Sequence, residues 1–159
     1  MDKHLSYWQD ELDIELFTKW HADNKDHMQD IWDIRTRCIE EGYKSMLDIG
    51  AGTALIYDLL NNEIDYQGLE ITPKFVEDAK SRNIPMILGD IEKLPFDDKS
   101  YDVCIASSVL NHLYDYRPAL REMARVAKKE IIISFFKPSI EQLFYSPPGS
   151  WSSTIGYYG

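Results

Sequence analysis

Asp48-Ile49-Gly50-Ala51-Gly52-Thr53 sets a carboxylate two residues ahead of a Gly-x-Gly turn. A glycine turn lets a ligand approach bare backbone, because no Cβ stands in the way. A helix opening directly behind it offers unpaired N–H groups and its positive dipole end to polar or anionic ligand atoms. A plain strand-to-helix turn would also explain two glycines, so the surrounding residues decide. Asp48 interrupts the apolar run Met46-Leu47-Asp48-Ile49, where a carboxylate is disfavoured unless something satisfies it. Glu70 follows 20 residues after Gly50 (70 − 50), about where α/β nucleotide sites set an acid against ribose hydroxyls. An isolated Glu at a strand end is ordinary; at this spacing from a glycine loop, the ribose reading is the better one.

The remaining reactive side chains are few. His4, His21 and His27 fall on polar N-terminal segments and are expected to be solvated. His112 comes just after the fourth apolar strand, where open α/β sheets put ligands. It is the candidate catalytic residue, as a general base, with a capping or pocket-wall histidine as the alternative. No carboxylate pair, Ser-His-Asp order or metal-ligand spacing occurs elsewhere, so no metal is expected. Cys38 and Cys104 stand far apart without a CxxC, which suggests neither zinc nor a disulfide framework.

A nicotinamide-type fingerprint asks for a small residue at position 55, and the chain has Leu55. Asp-Ile-Gly-Ala-Gly-Thr instead resembles the first motif of the class I S-adenosylmethionine-dependent methyltransferases, with Ala54 at a position that is often Gly. Gly89-Asp90, Leu94-Pro95-Phe96-Asp97, Ser100-Tyr101-Asp102-Val103 and Val109-Leu110-Asn111-His112-Leu113 are similar to the family's segment after its third strand. There an Asp at the Asp90 position meets the adenine amino group, and the next backbone N–H meets a ring nitrogen. A carboxylate beside a backbone donor suits that edge. Leu-Arg-Glu-Met-Ala-Arg-Val-Ala-Lys, residues 120–128, again looks like the family, its usual Lys-Pro-Gly-Gly turn reduced to Lys128-Lys129-Glu130.

The resemblance runs from about Lys44 to Phe136. It implies S-adenosyl-L-methionine as cofactor, held by Asp48, Gly50, Ala51, Gly52, Glu70, Ile71, Asp90, Ile91 and Ser107. It also implies methyl transfer by in-line displacement, in which the protein supplies alignment and excludes water. Two other classes stay open: a nicotinamide-dependent oxidoreductase, and a non-catalytic interaction module that keeps the fold.

Positioning these residues requires alternating strands and helices, hence an α/β, Rossmann-like, doubly wound and mainly parallel sheet. Expected strands are the stretch ending at Ile49, Ile64–Ile71, Ile84–Leu88, Tyr101–Ala106 and Ile131–Phe136, the last apolar on both faces like a buried parallel strand. Expected helices are Thr53–Leu60, one opened by Thr72 as N-cap and Pro73 at N1 and running to about Arg82, and one from Tyr116 to Val126. In the last, Leu120, Met123, Ala124 and Ala127 would face the sheet.

Residues 5–41 read as two helices parted by Ala22-Asp23-Asn24-Lys25-Asp26. Leu5, Trp8, Leu12 and Leu16 recur at helical spacing, as do Ile31, Ile34 and Cys38. Trp8, Phe17, Trp20 and Trp32 are expected to anchor these helices; the alternative is that Tyr7, Trp8 or Trp20 roofs the pocket.

The 159 residues suit one domain: a helical cap over 1–41, a cofactor-binding core over 44–136 and an aromatic tail over 137–159. A net charge of -10 argues against an extended nucleic-acid surface and leaves a small-molecule substrate. The polar N-terminus opens no signal peptide, no run approaches a membrane span, and two free thiols fit a reducing cytosol, so the expected location is cytoplasmic. The family usually follows its fifth strand with a helix and an antiparallel strand pair, for which residues 137–159 are too few. The expectation is a truncated chain or gene fragment. Otherwise the sheet edge is covered by Phe144, Tyr145, Trp151, Tyr157 and Tyr158, or by a second copy in a homodimer.

Overall fold

The computed structural model describes residues 14–23 and 25–135. Two helices lead, α1 (Ile14–Asp23) and α2 (Lys25–Glu40). Strands and helices then alternate: β1 (Ser45–Ile49), α3 (Leu55–Leu60), β2 (Asp65–Glu70), α4 (Pro73–Ser81), β3 (Met86–Leu88), β4 (Tyr101–Ser107), α5 (Arg117–Val126) and β5 (Ala127–Ser134). The five strands pair in the order β3-β2-β1-β4-β5, all parallel. The order reverses between β1 and β4, and a crevice opens at such a switch point beyond the carboxyl ends of the strands.

Alternation along the central strands makes the fold doubly wound. Met46, Tyr66, Val103 and Ile105 point to the face covered by α2, α3 and α4, where Ile34, Cys38, Ile56, Leu60 and Val76 are buried. Leu47, Ile49, Leu69, Cys104 and Ala106 point to the other face, covered by Ala119, Met123 and Val126 of α5. Each fully buried Leu or Ile side chain contributes roughly 1.5–3 kcal/mol. Ile31, Ile34 and Cys38 form the expected buried stripe of α2.

Several expectations need correction. α3 starts at Leu55 and not Thr53, because Ala54 adopts the left-handed conformation (φ 56°). That geometry explains why a glycine is common there: Ala carries a cost of roughly 1–2 kcal/mol in this region. β5 starts at Ala127, with no turn after α5. Lys128-Lys129-Glu130 are drawn into the strand by Asp102, 3.8 Å and 3.5 Å from the two ammonium groups, and by the Tyr43 hydroxyl, which donates to Glu130 at 2.8 Å. The backbone N–H of Lys44, with help from those lysines, holds the Asp102 carboxyl below its usual range. Ile131, Ile132 and Ile133 are only half-buried, and β5 is an edge strand among the described residues. On α5 the buried stripe is Ala119, Met123 and Val126, while Ala124 faces solvent.

In α1, Leu16 is exposed and Phe17 turns inward, one position off the predicted stripe. Trp32 is also exposed, with the Arg35 guanidinium 5.8 Å from its ring, so it does not anchor α2. Leu5, Tyr7, Trp8, Leu12, the side chain of Trp20, Phe136 and the tail aromatics lie outside the described part. Among the described residues, no helix is long and apolar enough to cross a membrane.

Candidate functional site

The glycine turn closes over the end of β2. Gly50 and Ala51 donate their N–H groups to the Leu69 carbonyl at 2.8 Å and 3.2 Å. Gly50 has φ +67°, and a Cβ there would lie 2.5 Å from Cγ2 of Val109, in the segment after β4. The loop after β4 is therefore seated directly on the glycine turn. Gly52 has φ +51°, and a Cβ there would meet only Cε1 of Phe17, at 3.6 Å.

Glu70, buried at the carboxyl end of β2, ties the turn to the next helix. One carboxylate oxygen accepts the Gly52 N–H at 3.0 Å, and the other accepts the Thr72 N–H at 2.9 Å. A carboxylate has about four acceptor positions, so each oxygen can still take a further donor. Thr72 occupies the expected N-cap position of α4, but its hydroxyl makes no capping bond and is buried without a partner. Glu70 has taken the backbone N–H of the cap residue instead.

Asp48 lies beneath the turn in the core. The Tyr66 hydroxyl donates to it at 2.8 Å, which supplies the satisfaction a carboxyl in a buried strand requires. Burial is the main cause pushing the Asp48 carboxyl up, to about 7, against the lowering effect of the Tyr66 bond. Between the ordinary value of 3.8 and about 7 the folded chain keeps a proton that the unfolded chain releases. Stability should therefore fall as pH rises through that window. Urea unfolding from pH 4 to pH 8 is expected to show the wild type losing ground to Asp48→Asn, which cannot titrate; parallel profiles would refute this.

Asp90 stands exposed after β3. Its Oδ1 accepts the Glu92 N–H at 2.9 Å and its carbonyl accepts the Lys93 N–H at 3.0 Å, a tight turn that carries an exposed carboxylate. Ile91 is buried against the cluster containing Leu69, and Ile71 is half-buried. The Ser107 hydroxyl is 2.9 Å from that of Ser134, across β4 and β5. His112 ends a short 3-10 turn, Leu110–His112, three residues beyond the Val109 that touches the glycine turn. It is half-buried, and its Nε2 is 3.3 Å from Nδ2 of Asn111. Glycine turn, Glu70 and the His112 turn are thus brought together at the carboxyl edge; Asp48 supports them from below. Among the described residues no cluster of metal-ligating side chains occurs.

Phe17 packs inward as an anchor of α1, as expected, but its place over the glycine turn and the burial of His21 were not foreseen. Phe17 packs over the glycine turn and against Phe75 of α4, with ring centroids 5.1 Å apart. His21, expected to be solvated, is half-buried; its ring lies 3.9 Å from that of Phe17 and its Nδ1–H donates to the Phe17 carbonyl at 2.9 Å. Burial lowers its pKa. The i, i+4 spacing of Phe17 and His21 was the available signal, masked by the stronger Leu pattern next to it.

A family model described as a methyltransferase domain matches residues 47–135. The demethylmenaquinone methyltransferase of Corynebacterium efficiens is 37% identical over 102 residues, covering 62% of this chain and 44% of that protein. The chain thus spans about half, or less, of the curated relatives it matches. Among solved structures, the YcgJ protein of Bacillus subtilis superposes with a TM-score of 0.62 at 27% identity, covering 74% of this chain and 55% of that one. The [4+2]-cyclase SpnF matches with a TM-score of 0.50 at 26% identity, covering 55% of this chain and 36% of that one. With more than half of its length inside the family model and the family's motifs gathered at the carboxyl edge of the sheet, the chain belongs to the class I S-adenosylmethionine-dependent methyltransferases.

Proposed function

We propose that the chain binds S-adenosyl-L-methionine at the switch point and serves methyl transfer to a small-molecule acceptor. The observation that carries the reading is Glu70, a buried strand-end carboxylate fixed by the Gly52 and Thr72 N–H groups with acceptor capacity left over. The donor set fits the cofactor. Glu70 suits two ribose hydroxyls, the exposed carboxylate of Asp90 suits the adenine amino group, and the bare backbone at Gly52 suits the methionine portion. Ile71 and Ile91 would flank the adenine, with Ala51 and Ser107 completing the wall.

When bound, the cofactor supplies a methyl group already activated on a sulfonium. The chain's own task is then alignment and exclusion of water. Phe17, packed on the buried Phe75, supplies an apolar cover beside Gly52, which would make α1 a cap on the core. The acidic charge and the demethylmenaquinone methyltransferase relative favour a small acceptor.

Titration calorimetry with S-adenosylmethionine, with NAD as control, tests the reading. Binding of the first alone is expected; binding of NAD alone would overturn it in favour of an oxidoreductase. A second reading has support from the likeness to a protein named as a cyclase, since the fold hosts other chemistry. A chain that binds the cofactor yet methylates no acceptor across a broad screen would support that one.

His112 is the proposed general base where the acceptor must lose a proton. His112→Ala should then lower turnover by roughly 10²–10⁴-fold with little change in cofactor affinity. Near-normal turnover in that variant assigns His112 to the pocket wall.

A further inference from the structure

Arg125, in the last turn of α5, makes five hydrogen bonds. Nε and Nη2 donate to the two carboxylate oxygens of Glu122 at 2.8 Å and 2.7 Å. Nη2 also donates to the Leu94 carbonyl at 3.1 Å, and Nη1 to the Phe96 carbonyl and to Asp98, both at 2.8 Å. Glu122 accepts the Leu94 N–H at 2.9 Å, so Leu94 is held at both its donor and its acceptor. Lys99 adds a second tie, donating from Nζ to the Ala124 and Ala127 carbonyls at 2.9 Å and 2.8 Å.

This lattice is not what holds α5 on the sheet; Ala119, Met123 and Val126 are buried for that. Partly exposed ion pairs also contribute little to global stability. What the guanidinium fixes is an irregular backbone with neither strand nor helix to hold it. The planar fork reaches two carbonyls and two carboxylates through five bonds, more than the three donors of an ammonium can make. The fixed stretch begins four residues after Asp90, and between them lie only the Asp90 turn and the buried Ile91.

We propose that the Glu122–Arg125 pair is a positioning device for adenine recognition, holding Leu94 and Phe96 so that Asp90 and the Ile91 N–H meet the adenine edge together. The inference rests on the functional reading above. It assigns Arg125 a role in ligand selectivity although the residue does not touch the ligand.

The test compares S-adenosylhomocysteine with S-inosylhomocysteine, whose base carries an oxo group in place of the amino donor. Calorimetry is run on the full chain as wild type, Arg125→Lys and Arg125→Ala, with Glu122→Gln in reserve should Arg125→Ala not fold. The wild type is expected to prefer the adenosyl ligand. Arg125→Ala should bind it about tenfold more weakly, the scale of one lost charge-assisted bond. Its preference over the inosyl ligand should shrink several-fold, with Arg125→Lys falling short of rescue. Amides of residues 92–96 should exchange faster in the variant without ligand. Variants that keep the wild-type preference overturn this inference alone; a wild type that binds both ligands equally overturns it together with the assignment of Asp90 to the adenine amino group, but leaves cofactor binding standing. A wild type that binds neither overturns the functional reading together with it.

Discussion

Replacing Gly52 with valine is expected to abolish S-adenosylmethionine binding in a chain that still folds. The backbone there is left-handed, which costs a side-chain-bearing residue roughly 1–2 kcal/mol and a β-branched one more. A Cβ meets only Phe17, at an ordinary 3.6 Å, so the core has room for the first carbon. The two γ-methyls then fill the space beside the backbone that the ligand needs. Overpacking on that scale corresponds to a loss of about hundredfold or more in affinity. Gly50 would be the poorer choice, because its Cβ would collide with Val109 at 2.5 Å and disturb the loop after β4. Calorimetry beside a thermal unfolding curve checks the result. Affinity unchanged in a folded Gly52→Val chain would sink the assignment of the site.

The residues that could be read in advance were those whose role is local. Asp48, Gly50 and Gly52 announce a strand and a tight turn because a buried carboxyl and a positive φ each demand specific chemistry. Met46-Leu47 and Val103-Cys104-Ile105 announce buried strands by being apolar on both faces. The start of β5 was not legible, because Lys128-Lys129-Glu130 reads as a polar turn until Asp102, Tyr43 and Arg37 from distant segments supply its partners. Phe17 was legible as an anchoring aromatic, but not its place beside Gly52, which depends on where α1 lies against Phe75. In the sequence, Arg125 is only one residue of the family-like stretch 120–128, with no partner indicated. Its role depends on carbonyls some 30 residues earlier in the chain, at Leu94 and Phe96. Periodicity carries no information about such contacts.

Glu70→Ala should reduce both stability and affinity, and the two losses can be separated. Without ligand, the variant leaves the Gly52 and Thr72 N–H groups without their carboxylate, which costs roughly 1–3 kcal/mol where the site stays dry. Urea unfolding of the ligand-free chain reads that part. Cofactor binding should weaken by a further ~1–3 kcal/mol, about five- to 150-fold, through loss of charge-assisted bonds to two hydroxyls. Glu70→Gln divides the contributions. Its single amide oxygen can replace one carboxylate oxygen, while its NH2 would confront the other backbone donor. It should therefore keep much of the packing and still bind poorly. A 2′,3′-dideoxy form of S-adenosylhomocysteine gives the control, since the wild type should bind it weakly and Glu70→Ala should no longer tell it from the parent ligand. If Glu70→Ala is less stable yet keeps wild-type affinity and wild-type preference for the hydroxylated ligand, Glu70 serves only to hold the glycine turn. The ribose must then be recognised elsewhere in the crevice.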